Sequence, residues 1–363
     1  METLSRPGVN GKCEVEVSYG GEADLHKHWT RCEKNPGHLR FTPVDEFNVN
    51  CVPSSYQSND LVDYVRALSD VTVRVDAGYV SEARPETFPG SDQLYPFYSN
   101  KGSIMLRVGS GWVSWVENHV PVRSAVCTCK HCRQQGTHIE AAYIHITTAA
   151  HVVFDELEAA QTRCYLFFDR GGTPAVCETA VRLTRTSSFK NDVKQDWCEM
   201  TYMTFDLALA DKLDKILTRL QDLQETLVHK FRPYMGFKAS LVPPYDGPIT
   251  SPKETLAIIV SHPHGCSKQV SIGHCTYLSI AEGEWTKYTY TTATCPGSSG
   301  APVFVLGRGS RWWWWFTHAH CGNCEHNKDL NYSTHNPSGI RFLCPDNNKV
   351  VNKTKLPCRS KKN

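Results

Sequence analysis

Thr294-Cys295-Pro296-Gly297-Ser298-Ser299-Gly300-Ala301-Pro302-Val303-Phe304 is a tight turn of small residues that runs straight into an apolar strand. Ser299 is the residue in it that can do chemistry. A serine hydroxyl is a weak nucleophile near neutral pH. It needs a base to take its proton and backbone N–H groups to hold the oxyanion that forms on the attacked carbonyl. Gly297, two residues before the serine, has no side chain to obstruct such groups and lets the chain turn so that successive N–H groups face one hollow. The N–H groups of Gly297 and Ser299 are therefore the expected oxyanion hole. The competing reading is a Gly/Ser surface turn with no chemistry.

Around this turn lies a chain of 363 residues, 40% hydrophobic and 21% charged, long enough for a sizeable core and for more than one domain. Its net charge of +2 gives no global field to recruit nucleic acid or an anionic membrane, so neither is expected as a partner. The first residues lack the apolar run of a signal peptide, and no stretch is long and apolar enough for a membrane span. An intracellular, cytoplasmic location is the expectation. In that setting the 16 cysteines are expected as reduced thiols or metal ligands rather than as a disulfide framework.

Residues 1–97 are rich in turn formers and read as a separate N-terminal α+β extension, with Cys13, His26, His28, Cys32, His38 and Cys51 at spacings that match no zinc signature. Leu61, Val62, Val65 and Leu68 recur at helical spacing and predict a helix over residues 59–68, followed by a strand over 71–75. From residue 98 the pattern changes to short strands rich in β-branched and aromatic residues, over 103–108, 111–117, 139–147 and 163–169. Between two of them, Cys127, Cys129 and Cys132 lie close enough to face one metal ion, which makes them candidate ligands of a structural zinc. Leu207, Leu213, Ile216, Leu217, Leu220, Leu223 and Leu227 form an apolar stripe over 206–229, predicting one long amphipathic helix inside a linker of 206–233. Strands resume over 256–261, 269–272, 277–281, 287–292, 301–306 and 312–318 in a second β unit of 234–345. A basic tail of 346–363 closes the chain. Four consecutive tryptophans, Trp312 to Trp315, would alternate faces in a strand, leaving two for a partner or a substrate wall.

The turn at Gly297-Ser298-Ser299-Gly300-Ala301-Pro302 resembles the nucleophile turn of trypsin-like (chymotrypsin-fold) serine peptidases. So does Thr147-Thr148-Ala149-Ala150-His151, a strand end with two small alanines before a histidine. The resemblance covers about residues 100–345 and implies an all-β fold of two six-stranded antiparallel barrels, the first over 98–205 and the second over 234–345. It implies His151 as base and an upstream aspartate that orients it. Asp196, opening Asp196-Trp197-Cys198-Glu199-Met200-Thr201-Tyr202, is the first candidate and Asp192 the fallback. The implied activity is peptide hydrolysis by Ser299, His151 and Asp196 on a protein or peptide substrate, with no cofactor required for catalysis. Ser298 stands where secreted zymogens carry aspartate, so activation by an inserted N-terminus is not expected. Competence gated through the extension, as in HtrA-like and viral relatives, is the expectation instead. A catalytically silent fold that binds a partner protein is the rival reading.

The same resemblance places the floor of the specificity pocket at Ala293, which carries no charge to attract Lys or Arg. Thr294 and His320 match the pattern of picornaviral and glutamate-specific relatives, in which a histidine binds a Gln or Glu side chain before the cut. His318, two residues away on the same strand face, is the substitute. A metal site made from His318, His320, Cys321, Cys324 and His326, or plain exposure of both histidines, stands beside that reading.

Overall fold

The computed structural model describes residues 11–121, 140–231, 247–248, 255–281, 285–307, 317–325, 327–334 and 336–337. Cys127, Cys129 and Cys132, His326, the four tryptophans and the basic tail lie outside the described residues.

Two antiparallel sheets carry the architecture. The strands of the second run Gln269–Ala281, Thr255–Ser261, Pro302–Val305, His318–Cys324, Asn331–Ser333 and Trp285–Tyr290, and the last pairs back onto the first, so six strands close a barrel. Its interior is packed with Ala257, Ile259, Cys275, Tyr288, Tyr290, Ala301, Val303 and Val305. Closure removes the exposed edges that antiparallel sheets otherwise have to protect.

The first sheet orders Val181–Leu183, Thr162–Leu166, Thr72–Tyr79, Ile104–Pro121, Glu140–Thr148, Trp197–Thr204 and Thr186–Asp192 along one path, and Glu16–Ser18 pairs with Ile104–Pro121 beside it. This makes eight strands where the resemblance implies six. The two additional to the sequence-drawn barrel, Glu16–Ser18 and Thr72–Tyr79, come from the extension.

The boundary placed at residue 97 consequently does not follow the sheets. Thr72–Tyr79 pairs on both sides, with Ile104–Pro121 and with Thr162–Leu166, and Val73, Val75 and Ala77 are wholly buried in the core. Gly11–Cys13 and Phe41–Pro43 pair instead with the second barrel, on His318–Cys324 and Gln269–Ala281. The extension thus straps the two β units together rather than standing apart from them.

Two stretches read from the sequence as strand pairs are single strands, Ile104–Pro121 and Gln269–Ala281. Glycine marked the breaks, but Gly109 sits inside the first because a Cβ there would come within 2.9 Å of the Ser299 carbonyl oxygen. The helix Asn59–Val71 runs three residues beyond its sequence-drawn end.

The long helix Leu207–Phe231 buries Leu213, Leu217, Leu220 and Leu227 against the first sheet and Asn59–Val71, each worth roughly 1.5–3 kcal/mol of apolar burial. Asp206 caps it, accepting the Leu209 N–H at 2.9 Å. Its apolar stripe is therefore satisfied inside the chain. No helix among the described residues is long and apolar enough to cross a membrane.

Candidate active site

The site lies where the two sheets meet. His151 follows Glu140–Thr148, and the two residues between, Ala149 and Ala150, are wholly buried in the core. Asp196 precedes Trp197–Thr204 in a left-handed conformation, φ 57°, which is uncommon outside glycine but tolerated by aspartate. That backbone turns its carboxylate back toward the histidine. Oδ1 accepts the His151 N–H at 2.9 Å and Oδ2 lies 2.7 Å from His151 Nδ1. The other ring nitrogen, Nε2, is 2.8 Å from Ser299 Oγ. An ionised carboxylate only accepts, so Nδ1 carries a proton and, in the neutral ring, Nε2 is left to accept the serine proton. Burial works against the charged imidazole, but the Asp196 carboxylate prevails and raises its pKa to about 10.

The turn that carries Ser299 is held by the opposite sheet. Ser110 N–H donates to the Ser299 carbonyl at 2.7 Å, and Ser110 Oγ donates to the Gly297 carbonyl at 2.8 Å. Gly297 adopts φ 95°, and a Cβ there would meet the His264 nitrogen at 2.9 Å, so glycine is required on both counts. This conformation aims the N–H groups of Gly297 and Ser299 into one hollow, as the turn's composition suggests. Asp192 lies away from the histidine, with its Oδ1 accepting the Gln195 N–H in the preceding turn.

The hollow is filled by the chain itself. The carbonyl oxygen of Glu14 accepts from Gly297 N–H at 2.7 Å and from Ser299 N–H at 3.2 Å. The Glu14 N–H in turn donates to the Cys321 carbonyl at 3.1 Å and to Ser299 Oγ at 2.9 Å. Residues before it form an antiparallel strand on the second barrel, with Gly11 opposite Cys324, Lys12 opposite Asn323 and Cys13 opposite Gly322. Residues after it cross to the first sheet, with Glu16 opposite Val108 and Ser18 opposite Leu106. An extended segment therefore runs through the cleft with a backbone carbonyl in the oxyanion hollow. Under it, Ser299, His151 and His320 are 0% exposed.

The side chain of Glu14 enters a buried polar pocket. Its Oε2 lies 2.8 Å from His320 Nε2, and Lys34 forms an ion pair with its Oε1. Lys34 Nζ is held by Thr294 Oγ1 at 3.1 Å and Asn331 Oδ1 at 3.0 Å. Tyr290 Oη sits 2.8 Å from His320 Nδ1. Burial lowers the His320 pKa despite Glu14, so the ring is neutral, its Nε2–H donating to the carboxylate and its Nδ1 accepting from tyrosine. Burial alone would raise the Glu14 pKa, but the Lys34 ammonium and His320 hold it down at about 2.

His320 and Thr294 are thus brought together as the sequence suggests, with Thr294 acting through Lys34. His318 and Ala293 are placed elsewhere. His318 Nε2 lies 3.0 Å from Thr286 Oγ1, and Ala293 packs with Cys32, Phe41 and Cys295. His318 and His320 share a strand face and both meet Trp285–Tyr290, but at different places along it: His318 reaches Thr286, while His320 reaches Tyr290 and the Glu14 carboxylate. Sequence reasoning missed Glu14 and Lys34. The one signal for Glu14 was the alternation Cys13-Glu14-Val15-Glu16-Val17-Ser18, which reads as a strand without saying what it lies on, and Lys34 had none.

No protein-family model matches the chain, and no curated protein is similar to it. Solved structures with some likeness include the Rv3671c protease of M. tuberculosis in its active form, at 11% identity and a TM-score of 0.34, covering 75% of this chain and 78% of that one. The HtrA-type protease AlgW with a decapeptide gives 11% identity and a TM-score of 0.35, covering 75% and 62%. A thermostable serine protease, AL20, from an extremophilic microorganism gives 11% identity and a TM-score of 0.34, covering 76% and 96%. At these values the likeness carries no inference, and the function is read from the site.

Proposed function

We propose that the chain is a serine endopeptidase that cleaves after acidic residues. Ser299 Oγ attacks the carbonyl, His151 Nε2 takes the proton and returns it to the leaving amine, and Asp196 holds the imidazole tautomer and balances its charge. The N–H groups of Gly297 and Ser299 stabilise the oxyanion, each donor being worth on the order of 10²–10³ in rate. The observation that carries this reading is Glu14, bound at once by the oxyanion hollow, the wall strand and a pocket of complementary charge. A carboxylate between Lys34 and His320 is favoured over a neutral amide, because a charged partner strengthens each hydrogen bond. A Lys or Arg side chain would instead set a second cation against Lys34.

The cleft is occupied in the intact chain, so the test opens it. Glu14→Arg places a cation against Lys34 and drives the segment out. Such a variant is expected to be labelled by a fluorophosphonate probe and to cut a mixed peptide library after Glu. Adding Ser299→Ala should remove labelling and lower turnover on the order of 10⁶-fold. A folded Glu14→Arg protein that neither labels nor cuts would count against a peptidase and for a protein-binding module. Dominant cutting after Lys, Arg or aromatics would overturn the acidic specificity.

A further inference from the structure

We propose that Cys32, His38, His264 and Cys295 bind a structural zinc ion. All four are buried, and their ligand atoms lie within 4.8 Å of one another. Cys32 Sγ and Cys295 Sγ are 3.6 Å apart, and Cys295 Sγ is 3.6 Å from His38 Nε2. Tetrahedral zinc, with bonds of about 2.3 Å to sulfur and 2.0–2.1 Å to nitrogen, sets its ligands about 3.8 Å apart for two sulfurs and about 3.5 Å for sulfur and nitrogen. A disulfide needs sulfurs at about 2.05 Å, so these are two thiols. His264 Nε2 is buried and makes no hydrogen bond, an arrangement that is costly unless a ligand completes it. Its Nδ1 lies 2.6 Å from Glu16 Oε2, which keeps the proton there and turns the Nε2 lone pair toward the cysteines. That carboxylate–histidine contact is the usual support of a zinc-bound imidazole. The other ligands are supported too. Asn35 donates its N–H to Cys32 Sγ at 3.3 Å and its Nδ2–H to Cys295 Sγ at 3.2 Å, and Trp29 stacks on His38 at 3.7 Å with rings 3° from parallel. Two sulfurs and two imidazoles select zinc over the hard oxygen-seeking cations.

The protein purified without added metal is expected to hold zinc, and Cys32→Ala and His38→Ala should each lose one equivalent. The measurement is made in a Cys127→Ala, Cys129→Ala, Cys132→Ala background, so that the other cysteine cluster contributes nothing. Cobalt(II) exchanged into that background protein should give the intense absorption of a tetrahedral thiolate site, a readout that does not require the ligand variants to fold. Less than about a tenth of an equivalent of zinc, full retention in Cys32→Ala, or an octahedral cobalt spectrum would each overturn the site.

Independently of the metal, we infer that the chain cuts its own Glu14–Val15 bond. This rests on the peptidase reading, and what carries it is the seating of that bond. The Glu14 carbonyl is in the oxyanion hollow, its N–H is against Ser299 Oγ, and the segment is paired on both sides of the cleft. Ser299 Oγ bonds to the Glu14 carbonyl carbon while its proton passes to His151 Nε2. The carbon–nitrogen bond to Val15 then breaks, and the Val15 nitrogen takes that proton. Water then bonds to the ester carbon and gives a proton to His151, which passes it to Ser299 Oγ as the carbon–Oγ bond breaks, leaving the new Glu14 α-carboxyl group and a free Ser299. Glu16–Ser18 stays paired in the first sheet, so the new amine at Val15 remains by the cleft and is not inserted elsewhere.

The full chain is followed by intact mass and N-terminal sequencing. Wild type should lose residues 1–14 and begin at Val15, at a rate independent of protein concentration, while Ser299→Ala stays whole. Wild type that keeps the bond although Glu14→Arg labels with fluorophosphonate and cuts peptides after Glu would overturn self-cleavage and leave the peptidase standing. An uncut wild type together with an unreactive Glu14→Arg would overturn both. Cutting at the same bond in Ser299→Ala would assign it to another protease and overturn the inference.

Discussion

Asp196 bears directly on His151, whose Nδ1 it faces at 2.7 Å, and favours the charged imidazole. With the His151 pKa raised from 6.5 to about 10, most rings are protonated near neutrality and cannot take the serine proton. The competent form grows as pH rises through that value. Hydrolysis at limiting substrate is therefore expected to climb close to tenfold per pH unit from about 7 to 9. A rate–pH profile that is flat or falling over that window would contradict it. Ser299, His151 and Gly297 were legible because each belongs to a short motif whose chemistry is local. Asp196 was legible as an acid opening a strand, though Asp192 competed until the left-handed backbone was seen. Lys34 was not legible, since nothing near it in sequence distinguishes it from a solvated lysine, and two of its partners, Thr294 and Asn331, lie 260 and 297 residues away.

Between the residues and the sheets lies a short helix, Glu156–Ala160, capped by Asp155, which accepts the Glu158 N–H at 3.0 Å. Glu158 is wholly buried, with one oxygen on Arg84 Nε at 2.6 Å and the other on Arg107 at 2.9 Å. The two arginines also hold the segment that carries His151, Arg84 donating to the His151 carbonyl at 3.2 Å and Arg107 to the Val152 carbonyl at 3.1 Å. Glu158→Gln leaves two buried guanidinium groups without a counter-charge. A loss of about 3–5 kcal/mol in urea-unfolding stability is expected, and one below about 1 kcal/mol would refute the role given to this cluster. Burial would raise the Glu158 pKa, but Arg84 and Arg107 hold it at about 2. Its folded value is thus depressed, so the contribution is full above the ordinary 4.5 and fades as pH falls toward 2. The long helix and about half of the strands were readable from pattern, whereas short ones such as Glu16–Ser18, Phe41–Pro43 and Val181–Leu183 were not. The two over-divided strands were not, because glycine within a strand signals close packing and turning in the same way.

At the scale of the whole molecule, the all-β class and the pairing of a His/Asp unit with a Ser unit were legible from motif order. The role of the first hundred residues was not. Their strands are short, and what decides their place is pairing with sheets that lie far along the chain, a signal local pattern does not contain. The contact of Glu14 with Ser299 spans 285 residues. Closing so long a loop adds little to its entropic cost, which grows only with the logarithm of length, but such contacts form late in folding. On the ribosome, Glu14 emerges long before anything exists for it to sit in. Both walls of its pocket and the strand beside it must first be made. A filled cleft therefore requires that both halves have already been built and joined.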